Sequence, residues 1–532
     1  MKSIHLPYSP CSPAPSALNK DSDTIDPFPV AWDDPADADL CWRHSPEHMP
    51  NALPPLEFEL GLKRFLEGFG WGMVPRQINY FVYFALDGAT GPVAPPAAPA
   101  LREAGRRWWD EVLPEVLGHI ERYRTPDFSA MTSEQLAQEI EALPDVRYRS
   151  GQLHTMAIRP HFAGMSLLIE TYKELTRGDD LAALRLVQGY GNKSFESGER
   201  LWRVGRIAAG IPTVRERLLA METDTALDTL ATLRREADAA PFVAAFDAYL
   251  DEFGWRSNGS FATATWFEDP TSPLMLLRAH LQTDGYDPNE EQRRLVEERE
   301  AFSRETLASL DDEGRARLQG AIEAAVAVAP LLEDHNLYID QRLSTMPRRL
   351  ILAAAARLGL AEPSDVFFLH EDELCAALRG TLDDTAPLIE QRKREFLRWR
   401  TVSPPPYVGA PPPEGAPDEA PAAEHSGPLR GTGVSAGVVR GPARILRSMA
   451  EADRLRPGDV LVTPVTHPAW TPLFGIARAV VTEVGGMLSH TAVASREFGI
   501  PAVVALRDAT RLLRDGQLVE VDGSTGEVRV VG

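Results

Sequence analysis

Residues 401–427, TVSPPPYVGAPPPEGAPDEAPAAEHSG, split this chain into two parts that cannot share one folding pattern. A segment so rich in Pro, Ala and Glu cannot bury a core. Proline-rich chain extends at about 3.1 Å per residue, so the segment reads as a tether able to reach across many tens of ångströms. On its N-terminal side, from Leu56 to Arg400, apolar residues recur at three- and four-residue spacings, as in GLKRFLEGF, LAALRLVQGY and GRARLQGAIEAAVAV. That is the period of amphipathic helices. On its C-terminal side the period becomes that of strands: GVVRGPARIL, DVLVTP, AVVTEV, PAVVAL, QLVEVDG and EVRVVG are short β-branched runs separated by turn residues. The expected fold is multidomain α+β. An extended, Pro- and Asp-rich arm with short ordered pieces (FPVAWDDP, LCWRH) covers residues 1–55, and a large, mostly α-helical domain covers 56–400. The linker covers 401–427, and a compact β/α domain with its own core covers 428–532.

The length of 532 residues itself demands more than one core. A net charge of −22 argues against a nucleic-acid partner, because a phosphate backbone would be repelled. The apolar runs stay well short of the about 20 residues that span a bilayer, and MKSIHLPYSPCSPAPSALNK lacks the apolar stretch of a signal peptide. Cys11, Cys41 and Cys375 form no CxxC or Cys/His spacing, so neither a disulfide framework nor a metal site is expected. These features predict a cytoplasmic protein away from membranes.

The most informative segment is VVTEVGGMLSHTAVASREFGIPAVVAL, residues 480–506. An apolar strand runs into Gly485-Gly486, where a side chain would block a sharp turn or a close ligand. Ser489 is placed to cap the following helix, and His490 and Thr491 open its first turn. The free amides and positive dipole end of a helix N-terminus suit an anion. A histidine there is a nucleophile whose phosphorylated form would meet ready-made donors. His490 is the candidate catalytic residue; Gly485, Gly486, Ser489 and Thr491 are the candidate phosphoryl-binding residues. A lone histidine at a helix start is more often a solvated or capping residue. The Gly-Gly turn, the Ser-His pair and the immediate GIPAVV return make a much narrower constellation.

That constellation resembles the phosphohistidine swivelling domain of phosphoenolpyruvate synthase, pyruvate phosphate dikinase and rifampicin phosphotransferase. GVSAGVVRGPARIL (433–446) and GDVLVTPVTHPAWTPLF (458–474) are similar to the same domain in order and spacing. The resemblance covers residues 428–532 and implies a β/β/α swivelling fold with His490 as phosphoryl carrier. His467 stands where the family usually has Asp, and Leu488 where the dikinases carry a regulatory Thr, so that control looks absent. The chain ends about 40 residues after His490, which leaves no room for a phosphoenolpyruvate-binding barrel. The order of helical domain, linker and swivel is similar to rifampicin phosphotransferase without its ATP-grasp half.

In the helical part, GYGNKSFESGERLWRVGRI (189–207), GWRSNGSFATATWFEDP (254–270), EDHNLYIDQRL (333–343) and EPSDVFFLHEDEL (362–374) resemble the acceptor-binding domain of that family. Trp255 and Ser260 occupy places where rifampicin phosphotransferases tend to carry His and Glu, which argues against rifampicin as acceptor. His335, Tyr338 and Arg342 lie three and four apart and are expected to share one helix face. They are acceptor-site candidates, with His335 as base and Arg342 neutralising the phosphoryl group, and Arg256 is a fourth. The bland alternative is a polar face that satisfies neighbouring loops. GYGNKS lacks the GxxxxGK[ST] spacing of a phosphate loop and follows a helix, so it is set aside.

Together these readings imply a phosphotransferase component that moves a phosphoryl group on His490 to a small-molecule acceptor. ATP and Mg²⁺ would be bound by a separate ATP-grasp partner, as in split systems such as phenylphosphate synthase, and no tightly bound cofactor is expected. Two alternatives stay open: a phosphocarrier or regulatory protein without acceptor chemistry of its own, and a helical-domain enzyme with a vestigial swivel.

Overall fold

The helix Leu143–Thr176 is the axis of the N-terminal part, burying Leu153, Ala157, Met165 and Leu168 along one side. The helix Asp312–Val328 lies against it so closely that a Cβ on Gly164 would come within 2.5 Å of Val328 Cγ2. Two of the helix starts carry side-chain caps: Asp311 accepts from Gly314 N, and Asn192 accepts from Phe195 N at the head of Lys193–Ala209. The computed structural model describes residues 28–45, 49–86, 96–257, 261–282, 287–412 and 428–531. Most of the arm, the greater part of the linker and Ser260 therefore lie outside the described residues.

Two segments depart from the sequence reading. The region from Leu56 onward is not helical throughout, because β2 (Met73–Ile78) and β3 (Phe81–Leu86) form an antiparallel hairpin. Its two-residue turn, Asn79-Tyr80, has positive φ at both positions (50° and 69°), the conformation whose twist matches that of paired strands. The linker is also not simply extended, whereas the ordered piece LCWRH expected in the arm contains a strand. β1 (Cys41–His44) pairs with β3 on one side and with β4 (Tyr407–Gly409) on the other, so the start of the proline-rich segment completes a four-stranded sheet. Sheet pairing needs only backbone amides and carbonyls, which composition does not reveal.

The C-terminal part is an eight-stranded mixed sheet in the order β5-β12-β11-β7-β8-β9-β10-β6. Its centre is parallel: β7 (Val438–Ile445), β8 (Val460–Thr463), β9 (Ala479–Thr482) and β10 (Ala502–Val504) run side by side. β8, β9 and β10 are buried along their whole length, as strands covered on both faces must be. β5 (Leu429–Arg430), β11 (Leu518–Asp522) and β12 (Glu527–Val530) extend one edge, and β6 (Thr432–Ser435) closes the other. One core, around Val460, Val481, Val503 and Val519, belongs to this domain alone. The other face is not self-contained. Val434, Phe474, Val480, Ala492 and Phe498 share a single core with Leu201, Phe246, Phe253 and Leu277 of the helical part. Phe195 and Phe498 meet across that boundary with ring centroids 5.7 Å apart.

Candidate functional site

His490 stands at the carboxyl end of a parallel strand, where open α/β sheets place their ligands. β9 ends at Thr482, the chain turns through Gly485-Gly486, and Ser489 caps the helix His490–Glu497 by accepting from Ala492 N at 3.4 Å. Gly485 has φ 127°, a conformation open essentially to glycine, and a Cβ there would press on Ser489 Oγ at 3.1 Å. Gly486 faces open space. Thr491 is buried, and its hydroxyl is engaged by Thr466 at 2.8 Å inside its own domain rather than lining the anion position.

The imidazole of His490 reaches across the domain boundary. Its Nδ1 lies 2.9 and 3.1 Å from the two carboxylate oxygens of Glu333. An ionised carboxylate only accepts, so Nδ1 carries a proton. Nε2 is buried with no hydrogen-bond partner among the described residues. Glu333 is completely buried and also accepts from Ser194 Oγ at 2.5 Å. Burial alone would raise its carboxyl, but His490, Ser194 and His335 outweigh that and hold it below the usual range. Burial pushes the neighbouring Asp334 up to about 6, although it accepts from Lys193 N at 3.0 Å.

The GYGNKS turn acts as a docking cradle. The amides of Gly189 and Gly191 donate to the two oxygens of Glu497 at 3.1 and 3.2 Å, while Lys193 N and Ser194 Oγ reach Asp334 and Glu333. Its donors therefore bind carboxylates from both sides of the boundary. Residues Glu333, Asp334 and Ser194 are the ones sequence reasoning missed. The only signal was an acidic pair directly after the apolar run AVAVAPLL.

His335, Tyr338 and Arg342 do not converge as expected. The helix Leu331–His335 continues into a wider, π-type turn over Asn336–Leu343, so the three- and four-residue spacing no longer aligns side chains. His335 faces inward, with Nδ1 2.7 Å from Leu331 O and Nε2 3.4 Å from Asp340. Tyr338 instead lies beneath the Lys193 ammonium, 5.9 Å from its ring centroid, and Arg342 is on the side of Tyr338 and Glu252. Arg256 is within the boundary: it is buried, donates to Pro468 O at 3.2 Å and packs over Phe253 and Trp266.

Residues 455–526 match the family described as PEP-utilising enzyme, mobile domain, and residues 154–333 match the rifampicin phosphotransferase fourth domain. His490 lies in the first match, and Glu333 is the last residue of the second. The chain thus carries a segment of each kind and is similar to rifampicin phosphotransferase-like, phosphoenolpyruvate-utilising proteins. It is 32% identical over 95% of its length to chondramide synthase cmdD of Chondromyces crocatus, covering 14% of that protein. It is 28% identical to the uncharacterised phosphotransferase YvkC of Bacillus subtilis over 90% of this chain and 59% of that one. With a rifampicin phosphotransferase of Streptomyces sviceus it shares 34% identity over 64% of this chain and 40% of the relative. The chain thus spans less than two thirds of the length of each of these relatives. The solved Enzyme I (nEIt) structure covers 58% of this chain and 80% of its own at 16% identity, with a TM-score of 0.17 that carries no argument. No helix among the described residues is long and apolar enough to cross a membrane.

Proposed function

We propose that this chain is a phosphotransferase component in which His490 Nε2 carries a phosphoryl group to a small-molecule acceptor bound by the helical part. The observation that carries this reading is the bond between His490 Nδ1 and the buried carboxylate of Glu333. Glu333 keeps the proton on Nδ1, so Nε2 is the nucleophilic nitrogen. Once Nε2 is phosphorylated, that Nδ1 proton makes the ring a better leaving group. In the forward transfer the N–P bond breaks, the acceptor oxygen forms the new O–P bond, and His490 departs as neutral imidazole. The acceptor hydroxyl must lose a proton, and Asp334, held near 6, is the adjacent carboxylate able to take it near neutral pH. Catalysis of this kind is positioning and charge neutralisation, for which Arg256 is a buried cation at the boundary.

The donor is proposed to be ATP with Mg²⁺ held by a separate ATP-grasp protein. The GYGNKS turn does not offer a phosphate cradle in this pose, because its amides are already bonded to Glu497 and Asp334. The test is incorporation of label from [β-³²P]ATP and [γ-³²P]ATP in the presence of the candidate partner. Acid-labile, base-stable label that disappears in His490→Ala is expected, and its absence with an active partner would sink the relay.

A second reading is favoured by one observation. The cavity at the docked boundary, lined in part by His161, Gln188, Asn192, Arg496 and Glu497, is only about 30 Å³. That holds a water, not an acceptor of drug size. In this reading the docked pose is a resting state, and His490 passes its phosphoryl group to another protein. Phospho-His490 that survives a panel of alcohols and carboxylates but is discharged by a protein would support it.

A further inference from the structure

We propose that His154, His335 and Asp340 form a binding site for one transition-metal dication in the helical part. The inference goes beyond the phosphoryl relay and stands on other residues.

The wide turn after His335 creates the arrangement. Hydrogen bonding from i to i+5 stacks position 340 against position 335, and Asp340 Oδ2 lies 3.4 Å from His335 Nε2. From the helix Leu143–Thr176, His154 Nδ1 approaches the other carboxylate oxygen at 3.0 Å. The three ligand atoms lie within 4.8 Å of one another. Ligands bonded at about 2.0–2.2 Å around a tetrahedral ion stand little more than 3 Å apart, so small side-chain adjustments close the set.

The surroundings are those of metal-binding histidines. His335 Nδ1 is 2.7 Å from the carbonyl of Leu331, which accepts its proton, and Nε2 faces Asp340, to which it donates while protonated and beside which it offers a lone pair once an ion displaces that proton. A ligating histidine almost always donates its second nitrogen in this way, which fixes tautomer and ring plane. The His154 ring is stacked flat on Phe69, with centroids 4.7 Å apart and planes 5° from parallel, and meets His335 edge-on at 4.6 Å. Two imidazoles and one carboxylate, with further positions left open, suit Zn²⁺, Fe²⁺, Co²⁺ or Ni²⁺ rather than Mg²⁺ or Ca²⁺. Entry is available, because the Asp340 side chain is 30% exposed while His335 is 3% exposed.

His335 is two residues from Glu333 and feels its charge. An ion here would therefore sit on the same turn that receives His490, with its open positions available to an oxygen ligand.

The test uses the full chain after dialysis against chelator, titrated with Co²⁺ and Zn²⁺. One equivalent of metal retained after desalting, with visible Co²⁺ absorption of a nitrogen-oxygen site, is expected. Asp340→Asn and His154→Gln should each weaken binding at least about 10-fold, the low end of what even outer-shell losses cost. His119→Gln, a histidine outside the cluster, should leave it intact. Circular dichroism verifies that the variants are folded. Folded wild-type protein that retains no ion would overturn the proposal whatever the variants do. So would equal binding by wild type and Asp340→Asn, which would leave the three residues as a hydrogen-bonded His–Asp–His trio.

Discussion

His490 Nδ1 and Glu333 Oε2 are 2.9 Å apart, although 157 residues separate them in the chain and they belong to different domains. Glu333 is 0% exposed, so its charge is compensated by buried groups rather than by water: His490 of the docked domain, Ser194 of the GYGNKS turn and the nearby His335. Removing a partner from a buried charge-assisted bond leaves the desolvation cost unpaid. The pair therefore couples the chemistry of His490 to the position of its domain.

Glu333→Gln keeps an acceptor for Nδ1 but removes the charge. In the proposed relay His490 is loaded at the donor protein, away from Glu333, so loading should change little. Discharge to the acceptor should slow by about 10² or more, the range of a lost charge-stabilising or proton-positioning group. Rapid-quench chase of labelled His490 separates the two steps. Equal slowing of both would remove Glu333 from the transfer step.

Glu497→Ala should loosen docking. It deletes the carboxylate held by Gly189 N and Gly191 N and leaves two amides without that acceptor. The loss of docking free energy should be about 1–3 kcal/mol. Small-angle scattering should record a larger radius of gyration than for wild type, and an unchanged profile would show that the shared apolar core alone fixes the pose.

The two glycines of the turn should behave differently. Gly485→Ala places a side chain at φ 127° and 3.1 Å from Ser489 Oγ. It should cost about 1–3 kcal/mol of stability in a denaturant melt. Gly486→Ala faces open space and should leave the melt unchanged. If Gly486→Ala nevertheless impairs labelling of His490, that glycine serves ligand approach rather than backbone shape.

Acid sensitivity should come in part from His280. Burial lowers its pKa to about 4, and neither ring nitrogen has a hydrogen-bond partner among the described residues. The unfolded chain then binds a proton that the folded chain refuses, so stability is complete above about pH 6.5 and falls as pH drops towards 4. The loss has an upper limit of about 3 kcal/mol. His280→Leu should flatten the pH dependence of the denaturation midpoint between pH 4.5 and 7.5. His161, also lowered to about 4 by burial, should leave a residual slope. An unaltered slope in His280→Leu would exclude it as the source.

The sequence by itself determined what is local. The strand, the Gly-Gly turn, the Ser489 cap, the helix from His490 and the returning strand lie within residues 480–506, and each depends on neighbours a few positions away. The change of period at the linker likewise separated the helical part from the sheet. Tertiary structure alone decided the rest. Glu333 meets His490 over 157 residues, Asp340 meets His154 over 186, and Gly189 meets Glu497 over 308. No spacing rule reaches so far. The wide turn that parted His335 from Tyr338 and Arg342 adds one residue to a helical turn, and packing rather than apolar period selects it. The GYGNKS turn shows the same division. Its amides suit an anion on local grounds, but only the fold determined that the anion is the carboxylate of Glu497.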